Sequence, residues 1–270
     1  MKVIRNVLLV AALVVPVAAS AAELNCSGPA NVEEFHYKWH LRGGIGWIAG
    51  FLFPRSGSGF LKTTYPNSEK STISSELMVT GNNGTSGFYN YQSEIDGSGK
   101  TLSTYHGYAW GKKSRKERTV FDYVKRLARM HKETTTATED TVRLLPKDEP
   151  EFRDILTAIH YMRTNADQIT APITTMIYMD GKEYPVIFKP AGRQVFTIHD
   201  QRVNAIGFDI VDAPGAVKKW SGGLQVWLSD DTRRIPFRIT ITESLASMQL
   251  DLDTINACGF LNAASGIRHP

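Results

Sequence analysis

Cysteine is scarce in this chain: among 270 residues, only Cys26 and Cys258 carry a thiol. Two thiolates alone are too few for a structural zinc site, so they do not predict a metal centre. In an oxidising compartment they would instead be able to form a disulfide that ties the two ends of the chain together. Such a bridge would contribute about 2–5 kcal/mol to stability. We treat Cys26 and Cys258 as a candidate disulfide, with two unpaired thiols as the alternative.

Common catalytic motifs are also missing. The sequence has no Gly-x-Ser-x-Gly nucleophile elbow and no complete glycine-rich phosphate loop ending in Gly-Lys-Ser or Gly-Lys-Thr. His36 and His40 share one face of a predicted strand, where about 13 Å separates them, which is too far for one metal ion. We therefore expect no enzyme activity, no catalytic residues, no cofactor and no metal site.

Long apolar runs are missing except at the N-terminus. There Lys2 and Arg5 precede an apolar run, residues 7–17, and small residues, 18–22. This order is typical of a cleavable secretory signal peptide, and the run is about half of the roughly 20 residues that span a bilayer. We predict a signal peptide over residues 1–22, a single β-rich domain over 23–270, no integral membrane segment after cleavage, and a periplasmic location. An uncleaved anchor helix is the alternative.

Alternating apolar and polar residues predict many short strands. In the first, one face carries Phe35, Tyr37, Trp39 and Leu41, and the other carries Glu34, His36, Lys38 and His40. Glycine-rich residues 43–51 predict a second, bent strand. Similar segments follow at 59–64, 73–80, 87–95, 102–110, 119–124, 176–179, 183–189, 195–198 and 203–211. The clearest hairpin is the last, with Leu224, Val226 and Leu228 on one strand and 235–241 on the other.

One helix is predicted, over Pro150–Thr164. Its apolar stripe at helical spacing consists of Phe152, Ile155, Leu156, Ile159 and Met162. Residues 134–149 show no such pattern and predict a surface loop. The fold class is therefore mainly β (β-rich α+β): a large curved antiparallel sheet, a half-barrel or open barrel, with one helix packed on its concave side.

Adjacent carboxylates occur at Asp230 and Asp231, ahead of Arg233 and Arg234. Paired carboxylates can divide the roles of acid and base in catalysis. Adjacent strand residues, however, point to opposite faces, and aspartates in turns accept backbone N–H bonds. We therefore interpret this segment as a hairpin turn and not as a catalytic pair.

Positive charge is concentrated in residues 112–132, where nine basic side chains face two acidic ones, so the segment carries 9 − 2 = +7. The formal charge of the whole chain is +4 and falls to +2 without Lys2 and Arg5, which does not predict a nucleic-acid partner. Our candidate contact for anionic envelope material consists of Lys112, Lys113, Arg115, Lys116 and Arg118. The alternative is a solvated loop or an edge strand, on which cations discourage aggregation.

Three segments resemble a known family. Residues 222–236, Gly-Gly-Leu-Gln-Val-Trp-Leu-Ser-Asp-Asp-Thr-Arg-Arg-Ile-Pro, are similar to the C-terminal signature of the bacterial domain-of-unknown-function family numbered 3108. Residues 35–39 with the glycines of 43–50, and the segment 154–163, resemble its first hairpin and its central segment. The resemblance covers about residues 30–252 and implies an exported, β-rich protein without an assigned activity.

These observations favour a non-enzymatic periplasmic protein that binds an amphiphilic or lipidic component of the cell envelope. Aromatic residues accompany the basic segment on the expected curved sheet, namely Tyr37, Trp39, Trp47, Trp110 and Trp227, although ordinary core packing also explains them. The shape is similar to that of periplasmic lipid carriers, which is an analogy and does not establish function. One alternative is a structural or interaction protein of envelope assembly, distinguished by a filled core instead of an open apolar cavity. The other is an envelope-polymer hydrolase, which requires carboxylates or histidines converging in a cleft.

Overall fold

The structure is a computed structural model that describes residues 31–42, 54–67, 71–81, 88–145, 152–179, 181–198, 201–217, 219–220, 222–243 and 246–257. The predicted signal peptide, both cysteines and the predicted strand at 43–51 with Trp47 lie outside these residues. No helix within the described ranges is long and apolar enough to cross a membrane.

A single large sheet contains all 15 strands found in the described residues. Their bounds are β1 Val32–Arg42, β2 Ser56–Thr64, β3 Ile73–Gly81, β4 Phe88–Ile95, β5 Thr101–Trp110, β6 Lys113–Asp122, β7 Leu127–Thr134, β8 Thr138–Leu144, β9 Phe152–Arg153, β10 Ile173–Met179, β11 Lys182–Ile198, β12 Gln201–Asp212, β13 Gly222–Ser229, β14 Pro236–Glu243 and β15 Ala246–Ala257. Neighbouring strands are antiparallel, except that β9 pairs in parallel with β10. The predicted fold class is confirmed.

Strands β1 and β15 join the two halves of the sheet. From one edge to the other, the order is β8-β7-β6-β5-β4-β3-β2-β1-β15-β14-β13-β12-β11-β10-β9. Phe35, Tyr37 and Trp39 of β1 are buried, as their alternation predicts, because this face of β1 lines the main hydrophobic core.

Helix α1, Ile155–Asn165, lies on the concave side of the sheet. It contacts both β4 and β13, which are six strand positions apart. In a flat sheet these strands would be about 29 Å apart, whereas a helix is about 10 Å wide. The sheet must therefore curve around the helix, and the apolar stripe of α1 fills the space inside the curve.

The two edges of the sheet meet through side chains. Within the described residues, β8 pairs only with β7 and β9 only with β10. Across the gap, Phe121 of β6 and Tyr178 of β10 pack edge to face with their ring centres 5.0 Å apart. Ala128 and Leu145 complete this small cluster, which is separate from the main core. We call this contact the seam; it makes the open sheet barrel-like.

Several predicted boundaries are wrong: the strand predicted at 119–124 is β6, Lys113–Asp122, and β7 and β15 were not predicted as strands. The predicted loop at 134–149 contains β8, which has no alternation of buried and exposed residues because it is exposed on both faces. The predicted strands 183–189 and 195–198 are one strand, β11, which continues through a bulge between Pro190 and Gly192. Helix α1 begins at Ile155, not at residue 150, because Phe152 and Arg153 form β9 and Asp154 is the N-cap.

Candidate interaction surface

Strands β6, β7 and β8 present an outer face that combines basic and apolar side chains. Cross-strand pairing aligns Val120, Arg129 and Val142 in one row across the three strands. Two residues away along each strand, a second row contains Arg118, His131 and Asp140. We define the amphipathic surface as the exposed outward side chains of Lys116, Arg118, Val120, Arg129, Val142 and Leu144.

The apolar part of the amphipathic surface is unusually exposed. The exposed fraction is 43% for Val120, 62% for Val142 and 77% for Leu144, and Val124 in the adjoining turn reaches 96%. Single exposed apolar residues are common, whereas several on neighbouring strands form a patch of the kind that marks interaction sites. Arg129 stands between Val120 and Val142, so cationic and apolar contacts are available to the same partner.

Nearby carboxylates neutralise part of the positive charge. Lys116 lies 3.9 Å from Glu133, and Arg129 lies 3.9 Å from Asp122. His131 contacts Asp140 at 2.7 Å and Glu133 at 3.2 Å, and these hydrogen bonds raise the pKa of His131. No carboxylate of a described residue lies within 4.0 Å of Arg118. The amphipathic surface therefore keeps a net cationic character at Arg118, beside the row of Val120 and Val142.

The five residues of the predicted anionic contact do not share one face. Lys112 lies in the turn before β6, and only Lys116 and Arg118 point outward with the amphipathic surface. Arg115 points to the inner side, where its guanidinium lies 2.5 Å from the buried carboxylate of Glu117. Lys113 shares the strand parity of Arg115. A contact made by all five residues therefore stays a prediction, and the geometry brings only Lys116 and Arg118 together on that face.

The sequence reasoning missed Val142 and Leu144 because it placed them in a loop. Three β-branched residues, Thr138, Thr141 and Val142, fall inside β8 and favour a strand. That signal is weak in a short segment whose charged residues occupy both faces. The sequence also does not show that Arg129 lies between the two valines, because that position follows only from the strand register.

The predicted aromatic set belongs to the core where it is described. Tyr37, Trp39 and Trp227 are buried in the main hydrophobic cluster. The Tyr37 hydroxyl donates a hydrogen bond to the carbonyl of Pro236 at 2.9 Å. These side chains pack the interior and do not line an open apolar groove. The side chain of Trp110 lies outside the described part of the structure.

A small, partly open cavity of about 30 Å³ lies behind the seam. It is lined by several titratable side chains, among them His106, Glu117, Asp154 and Tyr178. The ring of His106 stacks on Tyr91 with a centroid distance of 4.4 Å. This volume holds about one or two water molecules and excludes a polymer chain. Carboxylates and a histidine do converge here, but the cavity lacks the cleft that an envelope-polymer hydrolase requires.

Asp154 is the most constrained carboxylate at this cavity. It accepts hydrogen bonds from the Ser93 hydroxyl and, at 2.8 Å, from the backbone N–H of Thr157, which caps helix α1. Burial raises its pKa above the ordinary value despite these bonds. Since the folded-state pKa exceeds the unfolded one, ionisation of Asp154 opposes folding. The stability linked to this group is full below the unfolded pKa and is lost as pH rises through the folded pKa.

This linkage predicts the behaviour of Asp154→Asn, which keeps a capping side chain but cannot ionise. We expect the stability of the variant, relative to the natural protein, to increase as pH rises from about 4, the unfolded pKa of aspartate. Urea unfolding of both proteins between about pH 4 and pH 8 measures this difference. A stability difference that stays constant across that range would contradict it.

The segment Asp230–Arg234 forms a hairpin turn, as interpreted from the sequence. Asp231 accepts hydrogen bonds from the Ser229 hydroxyl at 2.7 Å and the Arg233 backbone N–H at 3.0 Å. Asp230 contacts Arg193 at 3.1 Å and Arg234 at 3.3 Å. Asp231 therefore stabilises the turn through hydrogen bonds, and Asp230 forms ion pairs with nearby arginines.

A second turn contains Gly99-Lys100-Thr101, the triplet that ends a phosphate loop. It lies in the hairpin between β4 and β5, where Asp96 accepts hydrogen bonds from the backbone N–H groups of Ser98 and Lys100. A phosphate loop leads from a strand into a helix, whereas this turn leads from one strand into the next. The triplet is therefore explained by turn geometry.

Comparison with known proteins identifies the chain by family and by fold. The sequence model described as "Protein of unknown function (DUF3108)" matches residues 57–253. A "Beta-barrel-like Protein of Domain of Unknown Function DUF1849 from Brucella abortus" aligns with a TM-score of 0.51 over 84% of this chain and 98% of that chain. The two are 8% identical, so this likeness concerns the fold alone. No curated protein matches the chain.

Proposed function

Because the chain belongs to the DUF3108 family, whose description assigns no activity, we propose its function from the surface described above. We propose that it is a non-enzymatic protein of the periplasm that binds anionic amphiphiles of the cell envelope on its outside, through the amphipathic surface. The observation that carries the proposal is the row in which Arg129 lies between the exposed side chains of Val120 and Val142.

The chemistry of this row matches an anionic lipid surface. A Lys or Arg side chain near such a surface gains about 1 kcal/mol from the negative potential. Apolar side chains gain further free energy when they enter the boundary between headgroups and acyl chains. The amphipathic surface offers both contributions on one exposed face, with Lys116, Arg118 and Arg129 beside the valines.

The filled interior supports a lipid contact on the outer surface of the protein and not inside it. The space inside the curved sheet is occupied by helix α1 and the main core, and the partly open cavity behind the seam measures only about 30 Å³. A lipid carried inside would require a far larger apolar cavity. The filled core also supports the second candidate, a structural or interaction protein of envelope assembly that binds no ligand.

Binding to vesicles tests the proposal. We expect protein purified from periplasm to float with phosphatidylglycerol vesicles and to bind weakly to phosphatidylcholine vesicles. Arg118→Gln together with Arg129→Gln should weaken binding by about 2 kcal/mol, or roughly thirtyfold. Added salt should weaken binding by the natural protein as well.

The matched control removes two cations from other strands. Lys38 of β1 and Arg202 of β12 are exposed and lie outside the amphipathic surface, so Lys38→Gln with Arg202→Gln keeps the same net charge as the test variant. The proposal fails if both double variants lose affinity equally, or if the natural protein does not prefer anionic vesicles. Absence of any vesicle binding would favour the assembly role without a ligand.

A further inference from the structure

Strand β8 has one edge that forms no ladder with any residue the structure describes. It pairs with β7 along one side, from Thr138 to Leu144. Six of its seven residues are exposed and Thr141 is intermediate, so most of the strand is exposed on both faces. An exposed edge offers unpaired backbone N–H and C=O groups to another strand.

The charges of β8 are arranged symmetrically about its centre. Glu139 and Arg143 lie two residues before and two residues after Thr141, so all three share one face of the strand. Both charged side chains are exposed. If a second β8 lay antiparallel with a two-fold axis at Thr141, each Glu139 would stand directly opposite an Arg143.

We propose that two copies of this chain associate through antiparallel pairing of their β8 strands, centred on Thr141. Glu139 of one copy then faces the second copy's Arg143, and the symmetry repeats this pair on the other side of the axis. Directly opposite residues have their Cβ atoms about 4.5–5.5 Å apart, where opposite charges attract and like charges repel.

A different reading of the same charges is that they protect the edge. Charged side chains on edge strands discourage pairing with other chains. Protection by repulsion works when like charges meet, whereas the order of charges in β8 makes the antiparallel pair complementary. The arrangement therefore fits self-association better than protection, and a monomeric protein would show that protection is the correct reading.

Pairing through β8 has a consequence for the amphipathic surface. Val142 and Leu144 lie on the outer face of β8, so the dimer sheet would carry two amphipathic surfaces side by side. The dimer does not depend on lipid binding, and each can be tested without the other. If both occur, two surfaces on one particle raise its avidity for a vesicle.

Charge reversal tests the pairing. Sedimentation velocity between about 1 and 100 µM should show a monomer–dimer equilibrium for the natural protein. Glu139→Arg alone, or Arg143→Glu alone, places like charges opposite each other twice and should raise the dissociation constant by about tenfold or more. The double variant Glu139→Arg/Arg143→Glu restores opposite charges and should return the dissociation constant toward that of the natural protein.

Two controls make the result decisive. Circular dichroism and thermal unfolding show whether each variant is folded, and non-reducing electrophoresis shows whether a dimer is linked through Cys26 or Cys258. A monomeric natural protein, a disulfide-linked dimer, or a double variant as weak as the single ones would overturn the proposal. Vesicle binding is measured separately on the monomeric Glu139→Arg variant. Failure of the dimer proposal can then be distinguished from failure of the proposed function.

Discussion

Replacing Arg163 by methionine is expected to lower the free energy of unfolding by about 3–5 kcal/mol, because it leaves a buried carboxylate without its cation. The Arg163 guanidinium contacts the carboxylate of Glu33 at 2.9 and 3.2 Å, and both side chains are almost fully buried. The Tyr65 hydroxyl donates to the same carboxylate at 2.7 Å. The guanidinium also donates to the carbonyls of Arg233 and Arg234 at 3.3 and 2.9 Å.

A double variant separates the ion pair from the packing of its members. Glu33→Gln in the Arg163→Met background removes the uncompensated charge while keeping an oxygen for Tyr65 to bond. We expect the double variant to be more stable than Arg163→Met alone, since buried pairs are weak net contributors although their broken halves are costly. Urea unfolding of the four proteins completes the cycle. Equal stability of the double variant and Arg163→Met would show that the lost carbonyl bonds, and not charge, cause the destabilisation.

The Arg163–Glu33 ion pair lies where parts of the chain that are far apart in the sequence come together. Arg163 ends the central segment 154–163, and the carbonyls it binds belong to the C-terminal run 222–236. Its guanidinium also lies 5.2 Å from the ring centre of Phe35 in β1, which precedes the residues 57–253 that the family model matches. Helix α1, strand β1 and the turn between β13 and β14 therefore meet at one buried contact, which holds the helix against the sheet.

The sequence predicted strands most clearly where one face of an element is buried, but it did not predict β7 or β15. Strand β1 alternates cleanly, and Leu224, Val226 and Leu228 of β13 are buried as predicted, because the main core covers one face of each strand. Strand β8 was missed because water covers both of its faces. The contact between Glu33 and Arg163 could not be predicted, since 130 positions separate the two residues and no local pattern links them.

Only part of the candidate surface could be predicted from the sequence, because the sequence does not show which side chains share a face. The concentration of cations in 112–132 is visible in the sequence, but a strand divides its side chains between two faces. Arg115 therefore points inward to Glu117, whereas Arg118 points outward. The apolar half of the amphipathic surface comes from β8, so it became visible only with the register of β7 and β8.

Replacing Gly57 by alanine is expected to lower the free energy of unfolding by about 2–4 kcal/mol. A Cβ atom at this position would lie 1.8 Å from the Thr80 carbonyl oxygen and 2.5 Å from the Trp39 indole nitrogen. That nitrogen donates a hydrogen bond to the same carbonyl at 2.9 Å, directly over the glycine. The methyl group must therefore displace a backbone oxygen and a buried indole ring. Overpacking of this kind costs about 1–3 kcal/mol, and losing the hydrogen bond adds about 0.5–1.5 kcal/mol.

Gly97→Ala is the matched control, because nothing lies within 4 Å of the Cβ it would add in its turn. We expect its stability to stay within about 0.5 kcal/mol of the natural protein. Urea unfolding followed by tryptophan fluorescence measures both variants, and the emission also reports whether Trp39 loses its buried environment. If Gly57→Ala were as stable as Gly97→Ala, β2 would have to move away from β3 at little cost, and Trp39 would not be fixed by the carbonyl of Thr80. A loss confined to Gly57→Ala would instead show that the indole of Trp39 fixes the packing of β1, β2 and β3 at this end of the sheet.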